Sequence, residues 1–319
     1  RLETHQHSFD WLGVALSAIG MFLLVFGLQE GHYYDWNGWV WACIAGGVVV
    51  LAALLLWQRV NTKEPLIPLS LFRDRNFSVA NIAISTVGFA FTSMFIPLVY
   101  YFQAVRGLSP TQSALMTVPT ALATLVLAPI AGRITDRVHP RVVAVPGLAI
   151  GALAIVLWAL MLTPDISLGW LLIPPAVLGI GSAFIWAPLG STATRNLPMS
   201  AAGAGSGVYN TTRQVGGVLG SAAIATVIVN RIVAHLGDGS GAGFQGDSSS
   251  LELPEPIKEG FAAAMSQTLI VPGIALVVGA VVALWFVRPA HLAAPDASAA
   301  DASAADAERS PQEEPAVTP

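Results

Sequence analysis

The chain consists mainly of long apolar segments separated by short polar ones. Eight apolar runs are each long enough to cross a bilayer as a helix, which takes about 17–25 residues. They lie approximately at 11–28, 39–57, 78–102, 113–131, 142–162, 169–189, 205–229 and 267–287. No stretch shows the alternating pattern of a transmembrane barrel strand. The pattern predicts an all-α polytopic membrane protein with eight transmembrane helices.

The longer polar segments divide the chain into parts. Residues 58–77 carry charges, two prolines and an amphipathic middle, which is typical of a segment on the inner membrane surface. They separate a helix pair at 11–57 from a six-helix unit at 78–288. Residues 230–263 contain a Gly/Ser-rich stretch that indicates a flexible outer loop. Residues 289–319 are acidic and low in complexity, which predicts a disordered tail.

The basic residues predict the orientation in the membrane. One set of helix ends carries 11 of the 15 Lys and Arg residues, and the opposite loops carry only Arg106, Arg231 and Lys258. Cytoplasmic loops of membrane proteins are enriched in Lys and Arg. We therefore expect a multi-pass protein of the plasma membrane with both termini in the cytoplasm, residues 1–10 forming a cytoplasmic lead-in.

Composition excludes several classes of function. Of the 319 residues 54% are hydrophobic and 11% charged, against about 25% charged in soluble proteins. The single cysteine, Cys43, allows neither an internal disulfide nor a metal site built on a cysteine pair. The basic residues form no patch for nucleic acid. No convergent His, Asp, Glu or Ser cluster indicates an enzyme, a metal or a cofactor.

The seventh apolar run has unusual polar content. The stretch 203–222 reads GAGSGVYNTTRQVGGVLGSA, and Asn210, Arg213 and Gln214 are spaced to share one helical face. A central Arg costs about 2.5–3.5 kcal/mol on insertion scales, so it normally faces a bundle interior or a water-filled path. Its planar fork suits bidentate contact with a carboxylate or with carbonyls of a neighbouring helix. The alternative is that the cluster only ties helices together or snorkels to the headgroups.

Glycines flank this polar cluster at helical spacing. Small residues four apart allow another helix to approach closely. We therefore expect helix packing at five positions of this run: Gly203, Gly207, Gly216, Gly217 and Gly220.

The inner turn 132–141, GRITDRVHPR, can act as a conformational latch. Gly132 allows a tight helix end, and Asp136 is suited to a helix N-terminus, where a carboxylate is favoured. Arg137 and Arg141 can pair with carboxylates or with anionic lipid. Such a turn could hold two helices together on the inner side and release them. The alternative is anchoring by positive charge alone.

These motifs, with the stretches 95–119 and 178–190, resemble the major facilitator superfamily, specifically its fourteen-helix drug:proton antiporter branch of the EmrB/QacA type. The inner turn is similar to the family's G-x-x-x-D-R-x-G-x-R loop but has His139 and Pro140 at the second glycine and the position after it. The pattern G-x-x-N-x-x-R-Q-x-G-G-x-x-G is matched from Gly207 to Gly220.

The resemblance implies a transporter with two six-helix halves and two helices between them. The chain would then hold the central pair (11–57) and the C-terminal half (78–288), with the N-terminal half upstream. Substrate would bind between the halves, and transport would proceed by alternating access. No acid or histidine lies in the middle of an apolar run, so the groups that exchange protons are expected in the upstream half.

The same resemblance implies which side chains contact substrate: Phe91, Phe95, Tyr100, Trp186, Asn210, Arg213 and Gln214. Aromatic walls suit small amphipathic or cationic drug-like molecules. The expected partners are thus the bilayer, such a substrate, protons and the upstream half. Export of a native metabolite, lipid or amino acid, or a truncated scaffold without transport, are alternatives that the sequence leaves open.

Overall fold

The computed structural model describes residues 10–31, 34, 36–61, 69–198, 201–237 and 253–287. Within these ranges, eight helical segments are long and apolar enough to cross a membrane. The predicted class of an all-helical polytopic membrane protein is therefore confirmed. The predicted tail, most of the lead-in and residues 238–252 of the outer loop lie outside the described residues.

The helices follow the apolar runs in order. Short 3-10 turns at Leu69–Arg73 and Trp170–Leu172 precede α3 and α7, and a π-helical turn at Tyr101–Val105 extends α3. The α-helices are α1 (Trp11–Glu30), α2 (Gly38–Val60), α3 (Arg75–Tyr100), α4 (Pro110–Leu115), α5 (Val118–Thr135), α6 (Pro140–Met161), α7 (Ile173–Thr194), α8 (Ala202–Leu236), α9 (Glu255–Thr268) and α10 (Ile270–Ala283).

Helices α1 and α2 form an antiparallel hairpin that packs mainly on itself. Gly20 and Gly27 of α1, seven residues apart, lie against the side chains of Leu51 and Ile44, where a methyl group would come within 2.8 and 2.6 Å. A seven-residue repeat keeps one helix face turned to its partner over successive turns. The outer faces of both helices carry exposed large apolar side chains, as expected for surfaces in contact with lipid.

The other helices form the six-span unit, with α3 at its centre. Helix α3 packs against α8 and α10, α6 against α7 and α10, and α5 against α7. Bulky side chains such as Phe77, Leu148, Trp158 and Phe261 are fully buried between them. Only Ala131 and Thr135 of α5 are buried, so this helix lies at the edge of the unit.

Two predicted boundaries differ from the structure. Helix α2 continues to Val60 and α3 begins at Arg75, so the inner segment is shorter than 58–77. Helix α8 continues to Leu236 and the last span begins at Glu255, so the outer loop is shorter than 230–263. Hydropathy marks the part of a helix inside the membrane, whereas helical hydrogen bonds continue into the polar region.

Candidate functional site

An open, mostly apolar groove of about 700 Å³, here called the aromatic groove, lies between α3, α5 and α7. Helix α5 is fixed against α7 by two hydroxyl groups: Thr120 donates to the carbonyl of Pro175 at 2.8 Å, and Thr124 to that of Gly179 at 3.0 Å. The groove is lined by Phe91, Thr120, Ala121, Thr124, Leu125, Ala128, Pro129, Ser182 and Trp186.

Two of the predicted aromatic residues meet in this groove. The rings of Phe91 on α3 and Trp186 on α7 pack edge to face, with centroids 5.6 Å apart and planes at 67°. This arrangement is favoured by the ring quadrupoles. Since the two rings come from different helices, their contact depends on how α3 and α7 pack.

The other two predicted aromatic residues do not line the aromatic groove. Phe95, one turn beyond Phe91, has 45% of its surface exposed. Tyr100, at the end of α3, packs partly buried against the core of the helix bundle. Phe95 shares a helical face with Phe91, so its spacing predicts the same surroundings; only the tertiary structure shows that the groove between α3, α5 and α7 does not extend to Phe95 or Tyr100.

Arg213 contacts the groove through Trp186. The guanidinium carbon lies 5.8 Å from the centroid of the Trp186 ring, a distance that permits a cation–π interaction. The expected bidentate contact with a carboxylate or with helix carbonyls is not formed by any described residue. The carboxylate contact is missing because the described acids lie at helix ends, in turns or, for Glu259, in the second turn of α9, and none pairs with Arg213 in the middle of α8.

The other polar residues of this cluster behave differently. The side-chain amide of Asn210 donates to the carbonyl of Ser206 in its own helix at 3.0 Å and is exposed. Gln214 is also exposed. Both residues lie near Arg213 in α8, but of the three only Arg213 contacts a groove residue among those described.

Two polar residues near the groove escaped the sequence analysis. Ser182 lines the groove four residues before Trp186, is only 2% exposed, and its hydroxyl has no partner among the described residues. The hydroxyl of Tyr209, one turn before Arg213, is likewise buried and unpartnered in the described chain. Each lies four residues before a predicted site residue, Ser182 before Trp186 and Tyr209 before Arg213. This spacing places the two side chains on the same helical face and could have identified both.

The glycines of α8 divide into two groups. Gly216, Gly217 and Gly220 are buried against α3, where a methyl group would meet Ser85, Thr92 and Phe89 respectively. Gly203 and Gly207 are exposed, and a methyl group there would meet no described atom within 4 Å. The predicted packing at Gly203 and Gly207 is therefore wrong within the described chain, because the close approach to α3 begins further along α8.

The inner turn differs from the predicted latch in its caps. Asp136 is the C-terminal cap of α5 and not the N-terminal residue of a helix; His139 caps α6, its Nδ1 accepting from the backbone N–H of Arg141 at 3.2 Å. Pro140 at the first position of α6 explains this, since proline suits that position and leaves the residue before it extended. Gly132 lies inside α5 with open space around it, so it does not end the helix.

The ion pair of this turn also involves an unexpected partner. The carboxylate of Asp136 accepts from the guanidinium of Arg195 at the C-terminal end of α7. Arg137 and Arg141 pair with no carboxylate in the described part of the chain. The turn between α5 and α6 is thus tied to α7 rather than closed on itself.

Comparison with known proteins agrees with this architecture. Residues 8–221 match the Major Facilitator Superfamily. Over 289 aligned residues the chain is 46% identical to the uncharacterized MFS-type transporter Rv1250 of Mycobacterium tuberculosis. The alignment covers 90% of this chain and 50% of that protein.

Two relatives have names that describe an activity. The cephamycin export protein CmcT of Amycolatopsis lactamdurans is 34% identical over 239 residues, covering 72% of this chain and 49% of that protein. The multidrug resistance protein Stp of Mycobacterium tuberculosis is 28% identical over 228 residues, covering 72% and 42%. The chain spans about half the length of these curated relatives. The chain belongs to the major facilitator superfamily, a family of membrane transporters and not of enzymes.

Proposed function

We propose that the chain forms the C-terminal part of a proton-coupled multidrug efflux transporter that works by alternating access with an upstream half. The observation that carries the proposal is the open aromatic groove with the Phe91–Trp186 pair on its wall. An apolar concave surface with a few polar groups is typical of a site for small molecules. The name of CmcT supports export as the activity, and the name of Stp supports multidrug resistance.

Proton coupling is assigned to the upstream half. Transport coupled to protons requires a group that titrates within the permeation path, usually Asp, Glu or His. The acids of the described spans lie in their end turns, such as Asp74 before α3 and Glu255 and Glu259 in the first two turns of α9, and none lies in the middle of a span. The relatives are about twice as long as the aligned region, which leaves room for a second half that supplies this group.

The conformational latch is assigned to the inner turn. Asp136 and Arg195 connect the α5–α6 turn to the end of α7 through an exposed ion pair. An exposed ion pair contributes about 0–1 kcal/mol, so thermal motion can break it. A contact of this strength suits a transporter that must pass between two conformations.

The proposal is tested in liposomes with two dyes of opposite charge, fluorescein and rhodamine 123. The 319-residue chain alone should move neither dye in response to a proton gradient, and co-expression with the upstream half should produce movement of at least one dye. Trp186→Ala in the active form should reduce that movement, whereas Trp170→Ala, an exposed residue before α7, should not. Proton-driven movement by the 319 residues alone would contradict the assignment of coupling.

Export of a native metabolite is the second candidate. It is favoured by the relative CmcT, whose name refers to export of one compound class, cephamycins. A transporter of this kind would move one compound class and reject dyes unrelated to it. A complete form that inserts and folds but moves neither dye would favour this candidate, or a scaffold without transport, over multidrug efflux.

A further inference from the structure

The charges near the aromatic groove are of one sign. Arg213 reaches the groove through Trp186, and no described carboxylate lies within ion-pair distance of it. Six of the seven acids in the described part of the chain lie at helix ends or in turns, and Glu259 lies in the second turn of α9; the six are Asp10, Glu30, Asp74, Asp136, Asp165 and Glu255. No residue that lines the groove is charged, and the guanidinium of Arg213 lies over the ring of Trp186 in its wall.

A cationic substrate is disfavoured by this arrangement. One face of the Trp186 ring lies against the guanidinium of Arg213, whose carbon is 5.8 Å from the ring centroid. A second cation near that ring would be repelled, and repulsion between charges is strong where water is sparse. The expectation of a cationic drug, which rested on the aromatic side chains, does not take this occupied face into account.

Hydrogen-bond donors without acceptors near the groove favour a ligand that carries a negative charge. A guanidinium has five N–H donors, and those of Arg213 find no acceptor among the described residues. Ser182, 2% exposed, lines the groove with a hydroxyl that has no partner there. Arg213 is half-buried, so a ligand that brings an anionic acceptor to it gains a charge-assisted hydrogen bond, which is stronger than one between neutral groups.

We propose that the aromatic groove binds an amphipathic organic anion, with its carboxylate or phenolate on Arg213 and its aromatic body against Phe91 and Trp186. This rests on the proposed function, since it names the substrate class of that transporter's site. For the half of the cavity that this chain forms, the expected substrate is thus an organic anion instead of a cation.

The test measures binding and transport separately in the full-length transporter that contains this chain. Fluorescein and rhodamine 123 share a xanthene skeleton and differ in charge, and the neutral dye Nile red serves as an uncharged probe. Fluorescence anisotropy of each dye with the detergent-purified protein gives its Kd. We expect fluorescein to bind about tenfold more tightly than rhodamine 123, the size expected for a hydrogen bond to a charged group.

Variants identify the side chain responsible. Arg213→Gln should remove the preference for fluorescein and leave Nile red binding within about twofold, which also shows that the variant folds. Arg213→Lys retains the charge and should keep part of the preference. Arg231→Gln is the matched control: Arg231 lies in the same helix, but its exposed guanidinium donates to Gln267, outside the groove, and its loss should change nothing.

Each outcome has one interpretation. Equal or tighter binding of rhodamine 123 by the unaltered protein, or no binding of fluorescein, overturns the anionic class without any variant. An unchanged preference in Arg213→Gln overturns the role of Arg213. Selective fluorescein binding without proton-driven movement of any dye supports the site and contradicts the transport function, so the two proposals fail separately.

Discussion

Gly88 of α3 lies directly against the backbone carbonyl of Arg213 in α8, and a methyl group at position 88 would overlap that oxygen. Four residues further along α3 is Thr92, whose hydroxyl lies 2.8 Å from where a methyl group on Gly217 would be. The two helix backbones thus approach closely beside the residue that contacts Trp186. The packing of α3 on α8 therefore also fixes where the Arg213 guanidinium lies.

The first prediction concerns this close approach. Gly88→Ala should destabilise the protein by about 1–3 kcal/mol, since overpacking forces helices apart, and should lower the melting temperature in detergent. Gly207→Ala, in the same pair of helices but in open space, should be neutral or stabilising by up to about 1 kcal/mol, because alanine favours helix more than glycine does. Equal melting temperatures for the two variants would show that α3 and α8 have room to adjust.

The second prediction concerns the ion pair of the inner turn. Asp136→Arg or Arg195→Asp alone should slow dye movement in the complete transporter, because each places like charges together. The double exchange should restore part of the rate. Stability should change by less than about 1 kcal/mol, since the Asp136 side chain is 66% exposed. Asp165→Arg in the opposite turn is the control. Normal rates in both single variants would mean that the inner turn only anchors the protein by positive charge.

The third prediction concerns the open end of the α1–α2 hairpin, opposite the turn that joins the two helices. The Asp10 carboxylate accepts from the indole N–H of Trp57 at 3.0 Å and the amide of Gln58 at 2.9 Å, and also from the backbone N–H of Gly13. Gln58 is only 4% exposed. Asp10→Ala should leave these donors unpaired at a cost of about 1–3 kcal/mol, measured as a lower melting temperature.

Asp10→Asn is the matched variant for this hairpin. It keeps one acceptor oxygen, and the Gln58 amide can turn to accept from the new amide group, so less stability should be lost than in Asp10→Ala. Equal loss in both variants would mean that the negative charge, rather than the hydrogen bonds, holds the hairpin end. No loss in either would contradict a structural role of this cluster.

The fourth prediction concerns orientation. Asp136 and Asp165 lie beyond opposite ends of α6, and the distribution of Lys and Arg predicts that Asp136 is cytoplasmic. In a Cys43→Ser background, an impermeant thiol reagent applied to intact cells should label Asp165→Cys and not Asp136→Cys. Labelling of the Asp136 variant alone would reverse the orientation. Lysed cells, in which both should react, provide the control.

The spans and the family could be predicted from the amino-acid sequence alone. Apolar length is a local property of composition, so the eight membrane helices could be located from it within a few residues at most ends. The ordered motifs around Asp136 and Arg213 indicated the superfamily that the comparisons show. The exceptions were helix ends such as Leu236 and Glu255, where helices continue beyond their apolar part.

Only the tertiary structure decided which side chains meet. Arg213 contacts Trp186 instead of a carboxylate, Asp136 pairs with Arg195 instead of capping a helix, and Gly203 faces open space. Each of these depends on how helices distant in sequence cross and rotate against each other. A helical face can be predicted from a spacing of three or four residues, but its partner is fixed by the packing of the whole bundle.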